Sequence, residues 1–371
     1  MYEVLIIGGG LSGLVNAICL SRQGIRVALL EKNQYPFHRV CGEYISNETL
    51  PFLQSLGFDP FALGAVSLHT FRLTSPKGNT LEMPLDLGGF GLSRYTMDDE
   101  LCQIAKKCGA EIFESCKVTD IQTLNTHFRV KTDKGQIFES TVVIGAYGKR
   151  SNLDNSLHRA FFQKKSPYIG VKYHIYTDLQ ADHMIALHNF KDGYCGISRV
   201  EDDKFCLCYL TSRQNLKDFG SIERLEQEIL HKNPFLKDIF EKSEFIYDKP
   251  KVINEISFAP KTLLENGILM CGDTAGMITP LCGNGMAIAI HSAKILSELL
   301  IEHFSGKIDR REMEDLYQKK WRHLFAARLG VGRNIQNFFG SPLLSEVLLK
   351  TAKNIKPLAK FLVSNTHGRV F

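Results

Sequence analysis

Glycine spacing directly after a short apolar run constrains this chain more than any other feature. Val4-Leu5-Ile6-Ile7 has the composition of a buried parallel strand, and Gly8-x-Gly10-x-x-Gly13 follows at once. An apolar helix is expected over residues 11–22. After Gly24 a second strand, Arg26-Val27-Ala28-Leu29-Leu30, ends at Glu31. Strand, triplet, helix, strand and terminal acid in register make a dinucleotide-binding βαβ unit. Gly8 permits the tight turn, Gly10 lets the backbone approach a pyrophosphate, and Gly13 lets helix and strand pack closely. Leu11 and Ser12 complete the turn, and the helix N-terminus offers free N–H groups to phosphate. Glu31 lies 18 residues past Gly13, where a carboxylate accepts ribose hydroxyls, with Lys32 beside it.

The 371 residues are 44% hydrophobic and 23% charged, as in an ordinary globular enzyme. The net charge of +5 comes without any Lys/Arg run, so nucleic acid is not an expected partner. Ten cysteines are scattered without a CxxC pair or a His cluster at metal spacing, which points to reduced thiols in a cytoplasmic protein and no metal. Strand one starts at Tyr2, leaving no room for a signal peptide, and glycines break residues 4–20 into strand plus helix rather than a membrane span. Further along, a hairpin is expected around Pro76-Lys77-Gly78-Asn79. The segment 93–99 is expected to start a helix running to Cys108, capped by Thr96 or Asp98, and a single helix is expected over 222–232 in a β-rich stretch. The fold class is α/β: a Rossmann-like domain from 1–65, 93–165 and 259–304, an inserted mixed β-sheet substrate domain from 66–92 and 166–258, and C-terminal helices over 305–371.

A second signature lies roughly 260 residues on: Gly272-Asp273-Thr274-Ala275-Gly276, then Pro280 and Gly283-Asn284-Gly285-Met286. Here the chain resembles the flavoprotein superfamily of aromatic hydroxylases, flavin-dependent halogenases and geranylgeranyl reductases, with the reductase branch the nearest in pattern. The resemblance implies FAD, held in a domain of the glutathione reductase and p-hydroxybenzoate hydroxylase type. It implies that Asp273 meets the ribityl chain or a pyrophosphate-linked hydroxyl, and that Pro280 and the 283–286 turn lie against the isoalloxazine. A helix starting near Gly285 would aim its N–H groups at the edge of the ring where negative charge collects on reduction.

The same resemblance places Arg39, Cys41, Gly42 and Glu43 beside the flavin. Arg39 would meet a phosphate or the ribose; Cys41 is either a reactive thiol or a buried structural one; Glu43 would orient the loop or donate a proton. Arg94 is read as a cofactor contact or as a solvated surface arginine, and Val118 as offering backbone groups to adenine. The superfamily pattern Gly-Ala-Asp-Gly-x-x-Ser-x-x-Arg becomes Gly145-Ala146-Tyr147-Gly148 through Asp154, with Ala146 kept near the cofactor. The aspartate replaced by Tyr147 is one that helps bind NAD(P)H in hydroxylases, so NAD(P)H stays open as electron donor. Tyr147 is expected to pack on the adenosine. A single Trp, Trp321, rules out the WxWxIP halogenase signature, and the reductase motif PxxYxWxFP is also missing. Tyr194, in Gly193-Tyr194-Cys195-Gly196, is either a polar handle on substrate or half-buried core. Apolar clusters with interspersed basic residues over 324–363 suit a lid, a helix lying on a membrane surface, or core-facing amphipathic helices. Together these features favour reduction of a C=C bond in a bulky apolar substrate (prenyl, lipid or polyketide-type). The alternatives are a flavin monooxygenase of aromatic or polyketide rings and a non-catalytic flavin-binding protein.

Overall fold

The computed structural model describes residues 1–164, 166–278, 284–339, 346, 349, 351 and 368–371. Two sheets organise it. In the first, the strand Tyr2–Ile7 lies between Val27–Leu30 and Ile137–Gly145, parallel to both. The strands Glu111–Phe113 and Ile268–Met270 extend this parallel core on either side. Val4, Leu5 and Ile6 are wholly buried, each contributing on the order of 2 kcal/mol through the apolar surface removed from water. Helices Leu11–Ser21, Arg94–Lys107 and Gly285–Phe304 belong to the same core.

The second sheet runs in the order 244–245, 168–176, 205–212, 193–199, 184–190, 66–74, 80–91, 44–46. It is antiparallel except where Met184–Phe190 lies parallel to Val66–Thr74. Two sequence expectations change here. Residues 44–46 pair with Gly89–Gly91 at this sheet's edge, so the loop after Glu31 leaves the nucleotide unit and enters the second sheet. The single expected helix is three separate helices, Arg213–Phe219, Ile222–Glu228 and Pro234–Lys242, with a short 3-10 turn between the last two. The third has a legible start, since the Asn233 side chain caps it ahead of Pro234.

The helix Arg94–Lys107 is capped by Ser93, whose hydroxyl accepts from the Thr96 N–H at 3.2 Å, not by Thr96 or Asp98. Beyond the nucleotide unit, the helix Arg310–Phe339 buries Met313, Tyr317, Trp321, Phe325 and Leu329 at four-residue spacing. That stripe faces the core, as the amphipathic reading expects. Most of the later apolar clusters lie outside the described residues. No described helix is long and apolar enough to cross a membrane, and no disulfide joins the described cysteines.

Candidate functional site

The turn after the first strand has one tight contact at its base. Gly8 takes φ 104, and a Cβ on Gly13 would run into the Gly8 carbonyl. Glycine is therefore required for the helix to start so close to the strand. Above the base the turn is open: a Cβ on Gly10 would meet only the Arg94 guanidinium, at 3.8 Å. The space it faces is a cavity of about 980 Å³.

Glu31 sits at one wall and accepts the Gly9 N–H at 2.8 Å and the Asn33 N–H at 2.9 Å. Arg39 donates to the Gly9 carbonyl at 3.0 Å and pairs with Asp98 at 2.8 Å. Asp98 also takes both Nε and Nη2 of Arg94 at 2.7 Å. Arg94 is thus buried against the turn, which removes the solvated-arginine reading. Its charge is held firmly, since Asp98 more than offsets the burial and raises its pKa.

The late Gly-Asp turn arrives at the same place. A Cβ on Gly272 would strike the Ser12 hydroxyl, and Asn16 on the first helix donates to Cys271 Sγ at 3.5 Å. Asp273 lines the cavity together with Gly10, Leu11 and Ser12. Burial pushes its carboxyl up, against the pull of Lys261, Arg94, Lys149 and Arg39. Two of the cations around this turn were not foreseen. Lys261 donates to the Asp273 carbonyl at 2.7 Å, and Arg159 to the Thr274 carbonyl at 3.0 Å and to Asp154 at 2.8 Å. Asn284 precedes the helix Gly285–Phe304, whose first residues Gly285 and Met286 line the cavity. Pro280 and Gly283 lie outside the described residues.

Lys32, Val118, Ala146 and Tyr147 line the end of the cavity beside Glu31. The Tyr147 hydroxyl points at Met270 Sδ, 3.6 Å away, and burial raises its pKa. Cys41 and Gly42 line the middle, with Cys41 Sγ 3.6 Å from Met286 Sδ. Burial pushes the Cys41 thiol up, so it carries its proton.

Two roles are expected of Glu43, orienting the loop or donating a proton. Wholly buried and at φ 54, it contacts the Lys172 ammonium, accepts the Arg94 N–H at 2.8 Å, and lies 2.7 Å from His174 Nε2. Burial works to raise its pKa, but Lys172 and His174 outweigh that and bring it to about 2. These contacts tie its carboxylate in place and suit the orienting role rather than proton donation. Its left-handed backbone is held by these contacts. Glu43, His174 and Cys206 bring their ligand atoms within 4.8 Å of one another, but the Lys172 ammonium already supplies the cation Glu43 needs. Tyr194 is not brought to this group; on the strand Gly193–Arg199 it lines the cavity in an apolar cluster with Leu73, Leu187 and Leu210.

The FAD binding domain family matches residues 1–329. This chain belongs to that family. Among curated relatives, it is 25% identical to the digeranylgeranylglycerophospholipid reductase of Methanosarcina acetivorans, over 91% of this chain and 85% of that one. It is 22% identical to the tryptophan 2-halogenase of Chondromyces crocatus (91% and 69%) and 23% identical to conditioned medium factor receptor 1 of Dictyostelium discoideum (91% and 71%). Among solved structures, the flavin-dependent brominase Bmp2 superposes with a TM-score of 0.82 at 18% identity, covering 100% of this chain and 94% of that one. Pseudomonas aeruginosa PqsL gives 0.74 at 16% identity, with 93% and 98% covered. The chain is an FAD-dependent oxidoreductase. The site fits that cofactor: the open face at Gly10, the acid at Glu31 and the turn at Asp273 border one elongated cavity. These residues, with Ser12 and the start of the helix Gly285–Phe304, would hold it.

Proposed function

We propose that this enzyme reduces a carbon–carbon double bond in a bulky apolar substrate. The observation that carries the reading is continuity. The cavity that begins at the dinucleotide turn runs on, past Cys41 and Gly42, over a face of the second sheet. Its walls there are Phe71, Leu73, Met83, Leu187, Leu210 and Ile253. The archaeal digeranylgeranylglycerophospholipid reductases among its relatives agree with a long apolar substrate.

Bound FAD supplies two-electron redox chemistry at its ring. The chain's own part is to bind, orient and exclude water. The apolar walls strip water from an alkene and align it at the junction marked by Cys41 and Gly42. With Glu43 held as an anion, the Cys41 Sγ–H is a proton carrier lining this junction. Lys172 and His174 fix the loop that presents it.

The test is anaerobic. Dithionite-reduced, FAD-loaded protein mixed with polyprenyl alkenes is expected to regain yellow colour while product gains two hydrogen atoms, read by mass spectrometry. Reoxidation only on admitting oxygen, with product gaining an oxygen atom, would establish the monooxygenase instead.

A further inference from the structure

Alternate residues of the second sheet lay the floor of the cavity, and one of them has no side chain. On the strand Gly193–Arg199, Tyr194, Gly196 and Ser198 line the cavity, while Cys195 and Ile197 belong to the separate core under the helices of that sheet. Gly196 pairs directly across from Leu187 on one neighbouring strand and from Cys208 on the other. Leu187 pairs in turn with Leu73, and Leu73 with Leu81. All of these line the cavity, and Gly196 alone in this row brings no side chain to it.

The chain itself does not call for glycine at this place. The backbone of Gly196 lies outside the left-handed region, and a Cβ there would make ordinary contacts, with Leu187 Cδ2 at 3.4 Å and the Cys208 carbonyl at 3.7 Å. At Gly193, on the same strand, a Cβ would instead run into the Leu210 carbonyl. Glycine inside a strand weakens it, and no close approach within the protein explains the one at 196. Its position does. Two residues along, Ser198 Oγ donates to the Gly42 carbonyl at 3.4 Å, beside Cys41. Two residues the other way, Tyr194 belongs to the apolar cluster with Leu73, Leu187 and Leu210. Gly196 therefore lies between the junction and that cluster, roughly 7 Å along the strand from each.

We propose that Gly196 is the threshold over which the apolar chain of the substrate passes from the junction at Gly42 to the cluster around Tyr194. The inference rests on the apolar-substrate reading above and narrows it to chains long enough to occupy both parts, about 13 Å of floor from Ser198 to Tyr194. A side chain at 196 would stand on the floor and divide the space. The part of the substrate beside the junction would still be held, and burial of everything beyond the threshold would be lost.

The experiment titrates the FAD-loaded full chain calorimetrically with geraniol and with its longer homologue geranylgeraniol. In the unaltered protein geranylgeraniol is expected to bind at least about tenfold more tightly, because its extra length buries further apolar surface. In Gly196→Val that preference should shrink to about two-fold through weaker binding of geranylgeraniol, and in Gly196→Ala it should fall by at least about three-fold. Tm should rise in both variants, since the strand gains a side chain and the unfolded chain loses the freedom of glycine. A preference kept by Gly196→Ala and by any folded Gly196→Val overturns the proposal. So does a fall in Tm or a failure to fold in Gly196→Ala, because the protein itself would then require the glycine. If neither alcohol binds the unaltered protein, the apolar-substrate reading falls as well; if both bind and the variants keep the preference, only the role of Gly196 is lost.

Discussion

Gly10 and Gly13 sit three residues apart and serve different ends. Gly13 is required by the protein itself, because a Cβ there would meet the Gly8 carbonyl. Gly10 has room within the chain and is required only by what approaches it. Gly10→Val should therefore give protein with unchanged far-ultraviolet circular dichroism but at least about tenfold weaker flavin retention. Absorbance of the bound flavin after gel filtration checks this, and an undiminished yellow band would remove the assignment of this turn. Both glycines were legible in the sequence because each acts through its own backbone. Asp98 was legible only as a capping candidate. Its value as the common anchor of Arg39 and Arg94 depends on Arg39 arriving from 59 residues away.

Among the elements, the helix Arg310–Phe339 is tied to the nucleotide sheet by one polar contact within its apolar stripe. The Tyr317 hydroxyl donates to the Met270 carbonyl at 2.7 Å, in a wholly buried setting. Tyr317→Phe should lower stability by about 1–2 kcal/mol, seen as a lower denaturation midpoint in urea. The helix Ile222–Glu228 carries a pH-dependent contact. Glu226 receives hydroxyls from Tyr173 at 2.9 Å and Tyr209 at 2.8 Å, and burial raises its pKa from 4.5 to about 7. The folded state holds this proton more tightly than the unfolded chain. Its stabilising effect is complete below about pH 4.5 and is lost as pH rises to about 7. Thermal melts across that window should show the unaltered protein losing stability relative to Glu226→Gln, by on the order of 3 kcal/mol.

The strand Tyr168–Tyr176 shows why some of the site escaped the sequence. Ile169, Val171, Tyr173 and Ile175 face one core, while Gly170, Lys172 and His174 occupy the alternate positions. In an antiparallel strand that pattern reads as one buried and one solvated face. Here the second face is also covered, and Lys172 and His174 are buried against Glu43.

For the molecule as a whole, Glu43 is the joint between its two sheets. It lies on the loop leaving the nucleotide unit, and its partners Lys172 and His174 come from the second sheet, 129 and 131 residues away. Because its pKa is lowered from 4.5 to about 2, its contribution is present above about pH 4.5 and is lost as pH falls toward about 2. Glu43→Gln leaves the Lys172 ammonium buried without its anion and should destabilise the protein by about 3–5 kcal/mol. Calorimetric unfolding at neutral pH checks the size, and an unchanged Tm would remove Glu43 from the joint. The amino acid sequence alone determined the dinucleotide-binding unit, because the Gly8–Gly13 turn encodes a local backbone shape between two neighbouring strands; that the dinucleotide is FAD followed from the likeness of the Gly272-Asp273 stretch to a flavoprotein superfamily. Tertiary structure alone decided that Glu43 pairs with Lys172 and His174 and that Arg94 is buried. Charge state and burial are set by neighbours from other strands, and periodicity along one strand does not record who those neighbours are.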